Sequence, residues 1–401
     1  MIKLISKIIY YYLISILSFF IKLLPRDKNV WIYGGLGGKF VDNSKYLFLY
    51  ANTNFKDRKH IWLTSSVDDL RYLKRHGFLC YNKRSFYGIY YSLRAKVYIY
   101  SSSVEDISYL VLSSGAFLFN LWHGLPLKKI GRDNKLHAMY QITNSLERTL
   151  VSNYQLRLIG SNAVLCPAIY FNKVFISAFG LLDKSELCHA PYPRTLPFYW
   201  TCNQLNSYIK KFESDEMFDL ISKFKFYKKI WIYMPTWREN NPNFIQDSIL
   251  SLERLNEACS TNEILFLIKL HPNTKTTSLI LDKSNILILN NKMDIYPILP
   301  YTNTLLTDYS SIFLDYYILK KKIVFYPFDL DDYLKCNREM YFRYKDIIKG
   351  DVVNTFDDLI NYINSDYKFI INEEISEFFP GINFDLNLIE KYILKRLINP
   401  K

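Results

Sequence analysis

Short apolar runs alternate with amphipathic segments along most of the chain, and this pattern predicts its fold class. Most of the runs are continuously apolar and do not alternate, as expected for parallel strands buried on both faces. Helical patterns separate many of them, which indicates βαβ units and an α/β chain. The predicted strands are Val30–Tyr33, His60–Thr64, Val97–Ser101, Phe117–Leu121, Ile230–Met234, Ile264–Leu270, Ile286–Leu289, Thr304–Thr307 and Ile323–Tyr326.

The first 25 residues carry an uncharged, mostly apolar run, Ile8–Ile21, which is followed by Lys22 and Pro25. The run is short for a bilayer-spanning helix and lacks the small-residue cleavage site of a secretory signal. Its pattern predicts an amphipathic helix, residues 1–25, that lies at a membrane surface. The alternatives are a helix packed on the protein's own core and a short transmembrane anchor. The polar face of the predicted helix comprises Lys3, Lys7, Tyr11, Ser15, Ser18 and Lys22.

Two further domains are predicted from the length and from a break in the strand pattern. The chain has 401 residues, of which 49% are hydrophobic, enough for more than one core. Strand and helix signals thin out between Pro191 and Lys211, where prolines cluster. We therefore place an amino-terminal domain at 26–205 and a carboxy-terminal domain at 206–401. Two α/β domains of similar size suggest a ligand in the cleft between them, near the carboxyl ends of the strands.

The formal net charge of +13, from 51 Lys and Arg against 38 Asp and Glu, is spread along the chain. Such a surface suits anionic partners, namely phosphate-rich substrates, anionic lipid or nucleic acid. No RNA-binding aromatic motif accompanies the charge, so a nucleic-acid partner is not expected. The six cysteines show no paired metal-ligand spacing and are interpreted as reduced thiols of a cytosolic protein.

The segment from Leu121 to Gly131 carries the strongest chemical signal. A predicted strand runs directly into His123, and the basic pair Lys128 and Lys129 follows shortly after. A histidine at this end of a parallel strand stands where α/β proteins place reactive groups. Its pKa near neutrality suits it to take a proton from a hydroxyl. The lysines add positive charge that would attract an anionic substrate. A purely structural histidine is the alternative.

Two more strand ends carry groups suited to phosphate. Thr236 and Arg238 follow one predicted strand, and Arg238 could bind a phosphate through two hydrogen bonds. His271 follows the next strand, where Pro272 would fix the loop. This second histidine could donate to a pyrophosphate oxygen or to a leaving group.

A helix is predicted to begin at Ile312, directly after Asp308, Ser310 and Ser311. The free N–H groups and partial positive charge at such an end make it a candidate phosphate site. Plain helix capping by serine is the alternative and is the commoner use of that residue. Asp315, one turn into the helix, could face a ribose hydroxyl or could be a surface acid.

Two other segments carry weaker signals. Gly35 and Gly37 lie in a glycine-rich loop after the first predicted strand, but the spacing matches neither the dinucleotide fingerprint nor a P-loop. A close approach of phosphate and an ordinary tight turn are equally compatible with this loop. The run Asp329–Asp332 resembles a metal-binding D-x-D motif, yet helix capping explains it as well, and no metal site is predicted.

As a set, these segments resemble the CDP-glycerol glycerophosphotransferase family, which builds teichoic acids and related capsular polymers. The resemblance extends over residues 30–395 in the order expected for the family. The segment that contains Arg194 lacks the Gly and Asp usual in relatives, so the role of this arginine, a candidate phosphate or acceptor contact, is left open. The matching segments are W-H-G-L-P-L-K-K-I-G at 122–131, Y-M-P-T-W-R at 233–238, K-L-H-P at 269–272, T-D-Y-S-S-I-F-L-D-Y at 307–316, F-Y-P-F-D-L-D-D-Y at 325–333, F-V-D-N-S-K-Y at 40–46 and Y-P-R at 192–194.

The resemblance implies a GT-B fold, in which two Rossmann-like domains face each other across a cleft. It implies that the first domain handles the acceptor and the second holds the CDP-polyol, without a metal. It also implies peripheral, monotopic attachment to the cytoplasmic face of a bacterial cell membrane. In the family pattern, His123 would be the general base, His271 and Arg238 would contact the donor phosphates, and Ser310 and Ser311 would bind phosphate.

The expected reaction is the transfer of a polyol phosphate, with glycerol favoured, from CDP-glycerol or CDP-ribitol to a hydroxyl of a lipid-linked or glycan acceptor. CMP would be released, and no further cofactor is expected. The choice of polyol, the acceptor, the number of units added and the oligomeric state stay open. The alternatives are a GT-B glycosyltransferase that uses a nucleotide sugar for surface polysaccharide and a non-catalytic membrane scaffold.

Overall fold

The computed structural model describes residues 2–134, 161–238, 241, 243–271, 274, 283–336, 339–365 and 384–399. By its internal contacts the chain divides into two compact units. The first unit comprises Met1–His123, Ile130–Leu196 and Phe378–Lys401, and the second comprises Gly124–Lys129 and Pro197–Glu377. The chain therefore enters the second unit twice and returns twice to the first. The boundaries 26–205 and 206–401, drawn from the sequence as single breaks, stay a prediction.

The first unit contains a parallel sheet whose strands run outward from a central strand on both sides. Its order is β3-β2-β1-β4-β5-β6-β7, which is the doubly wound arrangement of Rossmann-like folds extended by one strand. Trp31, Ile32 and Tyr33 of the central strand are fully buried, as parallel strands covered on both faces require. The strands are β1 (Asp27–Gly34), β2 (Lys59–Thr64), β3 (Cys80–Asn82), β4 (Ala95–Tyr100), β5 (Phe117–Asn120), β6 (Ala163–Leu165) and β7 (Leu187–Cys188).

Helices cover this sheet, and local capping fixes where several of them begin. Ser66 accepts a hydrogen bond from the N–H of Asp69, and Ser85 accepts one from Gly88, so each serine caps the first turn of a helix. The helices that precede the second unit are α1 (Ile2–Lys22), α2 (Asp42–Asn54), α3 (Val67–Arg75), α4 (Phe86–Arg94) and α5 (Asn172–Phe179).

The second unit contains a second parallel sheet, with the order β10-β9-β8-β11-β12-β13. This is the 3-2-1-4-5-6 order of a doubly wound fold, in which ligands bind at the carboxyl ends of the strands. The strands are β8 (Lys229–Met234), β9 (Ile264–Ile268), β10 (Ile286–Ile288), β11 (Thr304–Thr307), β12 (Lys322–Phe325) and β13 (Asp351–Val352). Its helices are α6 (Cys202–Phe212), α7 (Asp215–Lys223), α8 (Phe244–Ser248), α9 (Leu252–Thr261), α10 (Ile312–Tyr316), α11 (Leu330–Cys336), α12 (Tyr344–Ile347) and α13 (Phe356–Asn364).

A last helix, α14 (Asn387–Ile398), belongs to the first unit although it follows the second sheet in the chain. Ile389 and Ile393 are fully buried. The Tyr392 hydroxyl donates to the carbonyl of Ser185 at 2.8 Å, next to β7. Thus the first unit is built from segments far apart in sequence.

The α/β class and the parallel sheets are confirmed, and all nine predicted strands correspond to observed strands. The structure adds four strands that the apolar pattern did not reveal, namely β3, β6, β7 and β13. Each of these has only two or three residues. A run this short shows no periodicity, so its pairing depends on the neighbouring strand rather than on its own sequence.

Helix α1 is present, and most of its described side chains are exposed even though they are apolar. Phe20 is 60% exposed and Leu13 is also 60% exposed, whereas Ile21 is buried. A helix packed on the protein's own core is therefore the wrong interpretation for this segment. In the part of the chain that is described, no helix is long and apolar enough to cross a membrane. Contact with a membrane surface stays a prediction.

Candidate functional site

His123 lies in a sharp turn directly after β5. Trp122 has a left-handed backbone, with φ of +52°, and its N–H donates to the Asn120 side chain at 2.8 Å. The Nδ1 of His123 lies 3.0 Å from the carbonyl oxygen of Ser101, at the end of β4. A carbonyl can only accept, so Nδ1 carries the proton and Nε2 is the basic nitrogen of the neutral ring. The histidine is thus held in the tautomer that a general base needs.

A buried clamp holds the main chain of this turn. Arg194 donates through Nη1 to the carbonyl of His123 at 2.8 Å and to Asp42 at 3.1 Å. Asn43 donates to the carbonyl of Trp122 at 2.9 Å and accepts from the N–H of Arg194 at 3.1 Å. Arg194 and Asn43 are buried. Arg194, whose role the sequence left open, therefore lies against the backbone of the turn that contains His123.

The glycine-rich loop after β1 is bonded to a carboxylate of the same unit. The N–H of Gly37 donates to Asp106 at 3.0 Å, and Ser102 and Ser103 donate to the other oxygen of the same carboxylate. Burial raises the pKa of Asp106 to about 6, while these N–H groups oppose the rise. A Cβ on Gly35 would lie 2.2 Å from the carbonyl oxygen of Lys39, so a tight turn requires glycine there. Contact of Gly35 and Gly37 with a substrate phosphate stays a prediction.

In the second unit, Arg238 is the centre of a buried ion-pair network after β8. Its Nη1 donates to Asp308 at 2.6 Å, and its Nε and Nη2 donate to the two oxygens of Asp329 at 3.0 and 2.7 Å. Nη1 also donates to the carbonyl of Thr236. Burial opposes the charge, yet the two carboxylates raise the pKa of Arg238 above its ordinary value. The two-pronged donor edge that the sequence assigns to a phosphate is bonded to Asp329.

This network ties together the loops that follow three strands. The N–H of Thr236, after β8, donates to Asp308, after β11, at 2.8 Å. The Tyr309 hydroxyl donates to Asp329, after β12, at 3.0 Å. The rings of Tyr309 and Tyr333 stack at 4.0 Å and lie against the guanidinium of Arg238. The carboxyl edge of the second sheet is therefore held by one arginine and two aspartates.

His271 follows β9 at this same edge, beside two lysines. Burial, and after it the positive charges of Lys128 and Lys269, lower the pKa of His271. The ring of Trp237 stacks on the ring of His271 with 6.0 Å between centroids. The Nζ of Lys128 lies 4.9 Å from the centre of the Tyr333 ring. Lys128, Trp237 and His271 thus bring positive charge and an N–H donor to this edge.

Lys269 is itself buried and donates to the carbonyl of Asn290 at 2.8 Å. Burial lowers the pKa of Lys269 to about 8. Lys129, by contrast, forms a surface ion pair with Glu339. Of the two lysines after His123 in the sequence, only Lys128 lies near His271, because the side chain of Lys129 is committed to Glu339. The predicted Pro272 lies outside the described residues.

The serine pair precedes a helix of only five residues, α10. Ser311 makes no side-chain capping bond, and the Oγ of Ser310 lies 3.5 Å from the N–H of Ile312. Asp315 is buried and accepts from the Tyr296 hydroxyl at 2.7 Å, so it is not a surface acid. Capping by Ser311 therefore does not explain the serine pair, and phosphate binding there stays a prediction.

Four side chains that hold these loops by hydrogen bonds were not predicted from the sequence to do so: Asp42, Asn43, Asp106 and Asp329. Asp42 and Asn43 belong to a segment that matches the family, which was a usable signal. Asp329 was considered only as a metal ligand or a helix cap. Within the described residues, no group of three or more His, Cys, Asp and Glu side chains is arranged to hold a metal ion.

Comparison with known proteins gives a consistent result over most of the chain. The family model described as CDP-Glycerol:Poly(glycerophosphate) glycerophosphotransferase matches residues 16–373. The chain is 26% identical to a teichoic acid poly(glycerol phosphate) polymerase of Bacillus spizizenii, over 91% of this chain and 90% of that protein. It is 26% identical to a teichoic acid glycerol-phosphate transferase of Staphylococcus aureus, over 84% of each chain.

The fold is shared with a solved structure of the wall teichoic acid polymerase TagF. The TM-score is 0.70 at 19% sequence identity, and the match covers 99% of this chain and 98% of that chain. At this level of identity the likeness supports the fold, and the site residues have to be argued from their own geometry.

Proposed function

Because the chain belongs to the CDP-glycerol:poly(glycerophosphate) glycerophosphotransferase family, we propose that it transfers glycerol phosphate from CDP-glycerol to a hydroxyl of a lipid-linked or polysaccharide acceptor. The reaction would release CMP and would serve teichoic acid or capsule synthesis. The observation that carries this proposal is the orientation of His123. Its protonated Nδ1 is held by the carbonyl of Ser101, so Nε2 is left as the base.

The chemistry is a single phosphoryl transfer. Nε2 of His123 takes the proton of the acceptor hydroxyl, and the acceptor oxygen forms a bond to the phosphorus that bears the glycerol. The bond from that phosphorus to the bridging oxygen breaks, and CMP leaves with the electron pair. Proton removal by a positioned base contributes about 10²–10⁴-fold in rate. Alignment and charge stabilisation supply most of the remainder in reactions of this class.

Donor binding is assigned to the carboxyl edge of the second sheet. Lys128 and His271 would meet the pyrophosphate, and the N–H groups near Ser310 and Ser311 would bind its oxygens. Arg238 supports these groups indirectly in our proposal, since its guanidinium is bonded to Asp308 and Asp329. Thr236, Asp308 and Asp315 then shape the loops that hold the nucleotide.

Arg194 is assigned to positioning rather than to substrate contact. It bonds the carbonyl of His123 while Asn43 bonds the carbonyl of Trp122, and Trp122 is held in a left-handed conformation. Such a conformation costs about 1–3 kcal/mol for a non-glycine residue and persists only where surrounding contacts enforce it. The clamp supplies those contacts, and it would keep Nε2 of His123 in a fixed place.

Attachment to the cytoplasmic face of the bacterial cell membrane is proposed through α1. Ile9, Leu13, Ile16 and Phe20 lie on one side of this helix and are each about half exposed or more. An exposed apolar stripe of this kind is stable when it is buried among lipid headgroups and acyl chains. The chain just after this helix is fixed to the first unit, because Arg26 donates to four carbonyls, those of Ser92, Ala95, Leu112 and Ser114.

The decisive experiment is CMP release by the purified protein with CDP-glycerol or CDP-ribitol and a panel of lipid-linked acceptors. The expected result is acceptor-dependent release of CMP from CDP-glycerol. Release from CDP-ribitol alone would show that the transferred group is ribitol phosphate instead. Folded protein that releases no CMP from either donor would contradict the proposal. In that case a nucleotide-sugar glycosyltransferase becomes the better reading, and thermal stabilisation by a UDP-sugar in place of CDP-glycerol would identify it.

A further inference from the structure

A cavity of about 340 Å³ lies in the second unit, at the amino ends of its strands. It is walled by the first residues of β8, β9, β11 and β12 and by the last turn of α13. The residues assigned to the donor follow the opposite, carboxyl ends of these strands, and none of them lines the cavity. It is therefore separate from the donor site, and the proposed reaction gives it no role.

The charge of the cavity is strongly positive. Lys229, Lys320, Lys321 and Lys322 line it, and no acidic side chain is among its lining residues. The carboxyl end of α13 contributes a partial negative charge of about half an elementary charge, which offsets only a fraction of the lysines. Like charges gathered around one cavity repel one another, so an anion in the cavity would stabilise the cluster.

Two of the lysines are committed to the protein and two are available at the rim. Lys321 donates to the carbonyls of Pro300 and Thr302 at 2.5 and 2.6 Å. The Nζ of Lys322 lies 4.7 Å from the centre of the Tyr362 ring. Lys229 and Lys320 are exposed, and among the described residues neither has a carboxylate partner. Of the carboxylates nearby, Glu263 pairs with Lys228, whereas Asp351 accepts from the hydroxyl of Tyr362 at the cavity wall and offsets one of the four lysine charges.

A further observation points to a ligand. Trp231 lines the cavity with its side chain buried, and its indole N–H has no acceptor in the described part of the chain. A buried donor without a partner is costly, and a phosphate oxygen would satisfy it.

We propose that this cavity, the lysine pocket, binds phosphodiester groups of the anionic polyol phosphate polymer that the enzyme extends. The inference rests on the proposed function, which supplies the polymer. The two exposed lysines, Lys229 and Lys320, suit a polymer that passes along the pocket, because one phosphate can leave and the next can take its place at an open surface. Bound there, the polymer would stay attached to the enzyme outside the reaction centre, between one addition and the next.

The test is a titration of the full-length protein with a glycerol phosphate oligomer, followed by calorimetry. The variant K229Q/K320Q removes the two exposed charges of the pocket. The matched control K223Q/K225Q removes two exposed charges of the same unit outside the pocket. We expect the pocket variant to bind the oligomer about tenfold more weakly and with a shallower salt dependence. The control variant should bind as the unchanged protein does, and both should keep CMP release with a short acceptor.

If both variants bound the oligomer equally weakly, the proposed site would be overturned, because the effect would then come from the overall charge of the protein. Vesicles of phosphatidylglycerol that compete with the oligomer for the lysines would overturn the polymer as the occupant and identify a lipid headgroup instead. Tight binding of monomeric glycerol phosphate or CMP at the pocket would also overturn it. Failure of the proposed function looks different, since CMP release would then be absent in every variant while oligomer binding still depended on the pocket lysines.

Discussion

At the scale of single residues, the imidazole of His123 is fixed by a carbonyl, and its backbone is fixed by an arginine. The carbonyl of Ser101 determines which nitrogen is basic, and Arg194 holds the carbonyl of His123 itself. The first contact therefore sets the protonation state of the base, and the second sets its position. The two contacts can be tested separately. Substituting His123 removes the imidazole but leaves its carbonyl for Arg194, and substituting Arg194 leaves the bond between the imidazole and Ser101.

Replacing His123 with alanine should lower kcat by about 10²–10⁴-fold, since the acceptor hydroxyl loses its base. Binding of CDP-glycerol, measured by calorimetry, should change little because the donor is assigned to the second unit. His189→Ala is a matched control, since His189 also points its Nδ1 at a carbonyl, that of Cys166, at 3.0 Å in the first unit. A His123→Ala protein with near-normal turnover would rule out this base.

Arg194→Lys should lower kcat by about 10–100-fold with little change in KM for the donor, because the shorter lysine side chain would not place its ammonium where Nη1 of Arg194 bonds both Asp42 and the carbonyl of His123. Arg26→Lys is the control, since Arg26 also bonds main-chain carbonyls in the first unit. It should lower the melting temperature without lowering kcat. Equal losses of kcat in both variants would show a general loss of structure and would contradict a positioning role.

Donor binding should depend on pH through His271. Burial and the charges of Lys128 and Lys269 keep the pKa of His271 below its ordinary value in the free protein. A bound pyrophosphate would raise that pKa, so binding takes up a proton and the Kd for CDP-glycerol falls as the pH is lowered from the bound pKa toward the free pKa. Calorimetry at pH 6 in two buffers of different ionisation enthalpy measures the uptake. A His271→Gln protein that takes up the same proton would exclude this residue as the source.

At the scale of elements, one buried arginine connects the loops at the carboxyl edge of the second sheet. Arg238 joins the loops after β8, β11 and β12 through Asp308 and Asp329. Buried ion pairs contribute little net stability when complete, but removing one partner leaves an uncompensated charge. The network therefore makes this edge sensitive to single substitutions.

Arg238→Met should lower the free energy of unfolding by about 3–5 kcal/mol, because Asp308 stays buried without its partner. Urea unfolding followed by circular dichroism gives the value. The control is Arg254→Met, which breaks an exposed pair with Asp357 in the same unit and should cost about 1 kcal/mol or less. If both variants lost the same small amount, the network would not be what holds this edge.

The sequence revealed the strands whose apolar runs are long enough to be recognised. Continuous apolar runs of four or more residues mark the strands that precede each functional loop, so His123, Arg238 and His271 were placed at strand ends correctly. Their partners could not be predicted in the same way. Arg194 lies 152 positions from Asp42, and Arg238 lies 91 positions from Asp329. No local spacing connects such pairs, and only the order of strands in the sheets brings them into contact.

At the scale of the whole molecule, the basic net charge and the exposed side chains of α1 would act together in the proposed attachment to a membrane. The charge of +13 favours an anionic lipid surface, and α1 presents apolar side chains that a surface of this kind can bury. The electrostatic part weakens with salt, while the apolar part does not. Membrane binding should therefore persist in high salt as long as α1 keeps its exposed apolar residues.

The triple variant L13S/L17S/F20S should move the protein from the membrane pellet to the soluble fraction, because these exposed side chains would supply the apolar contact. Binding of CDP-glycerol should be retained. The control L182S/F226S changes two residues of the folded units that are even more exposed, at 83% and 72%. If the α1 variant still sedimented with membranes at high salt, attachment would have to lie elsewhere in the chain.

The return of α14 to the first unit has a consequence for biosynthesis. A ribosome delivers the chain from its amino end, so α14 emerges only after every strand of the second sheet. The first unit, whose strands are made first, is therefore the later of the two to be completed, since Ile389 and Ile393 must still be buried in it. A nascent chain that stalls before residue 387 would carry a finished second sheet and an open first one. Helix α1 emerges before either sheet, and in the proposed attachment it would already lie on the membrane throughout that interval.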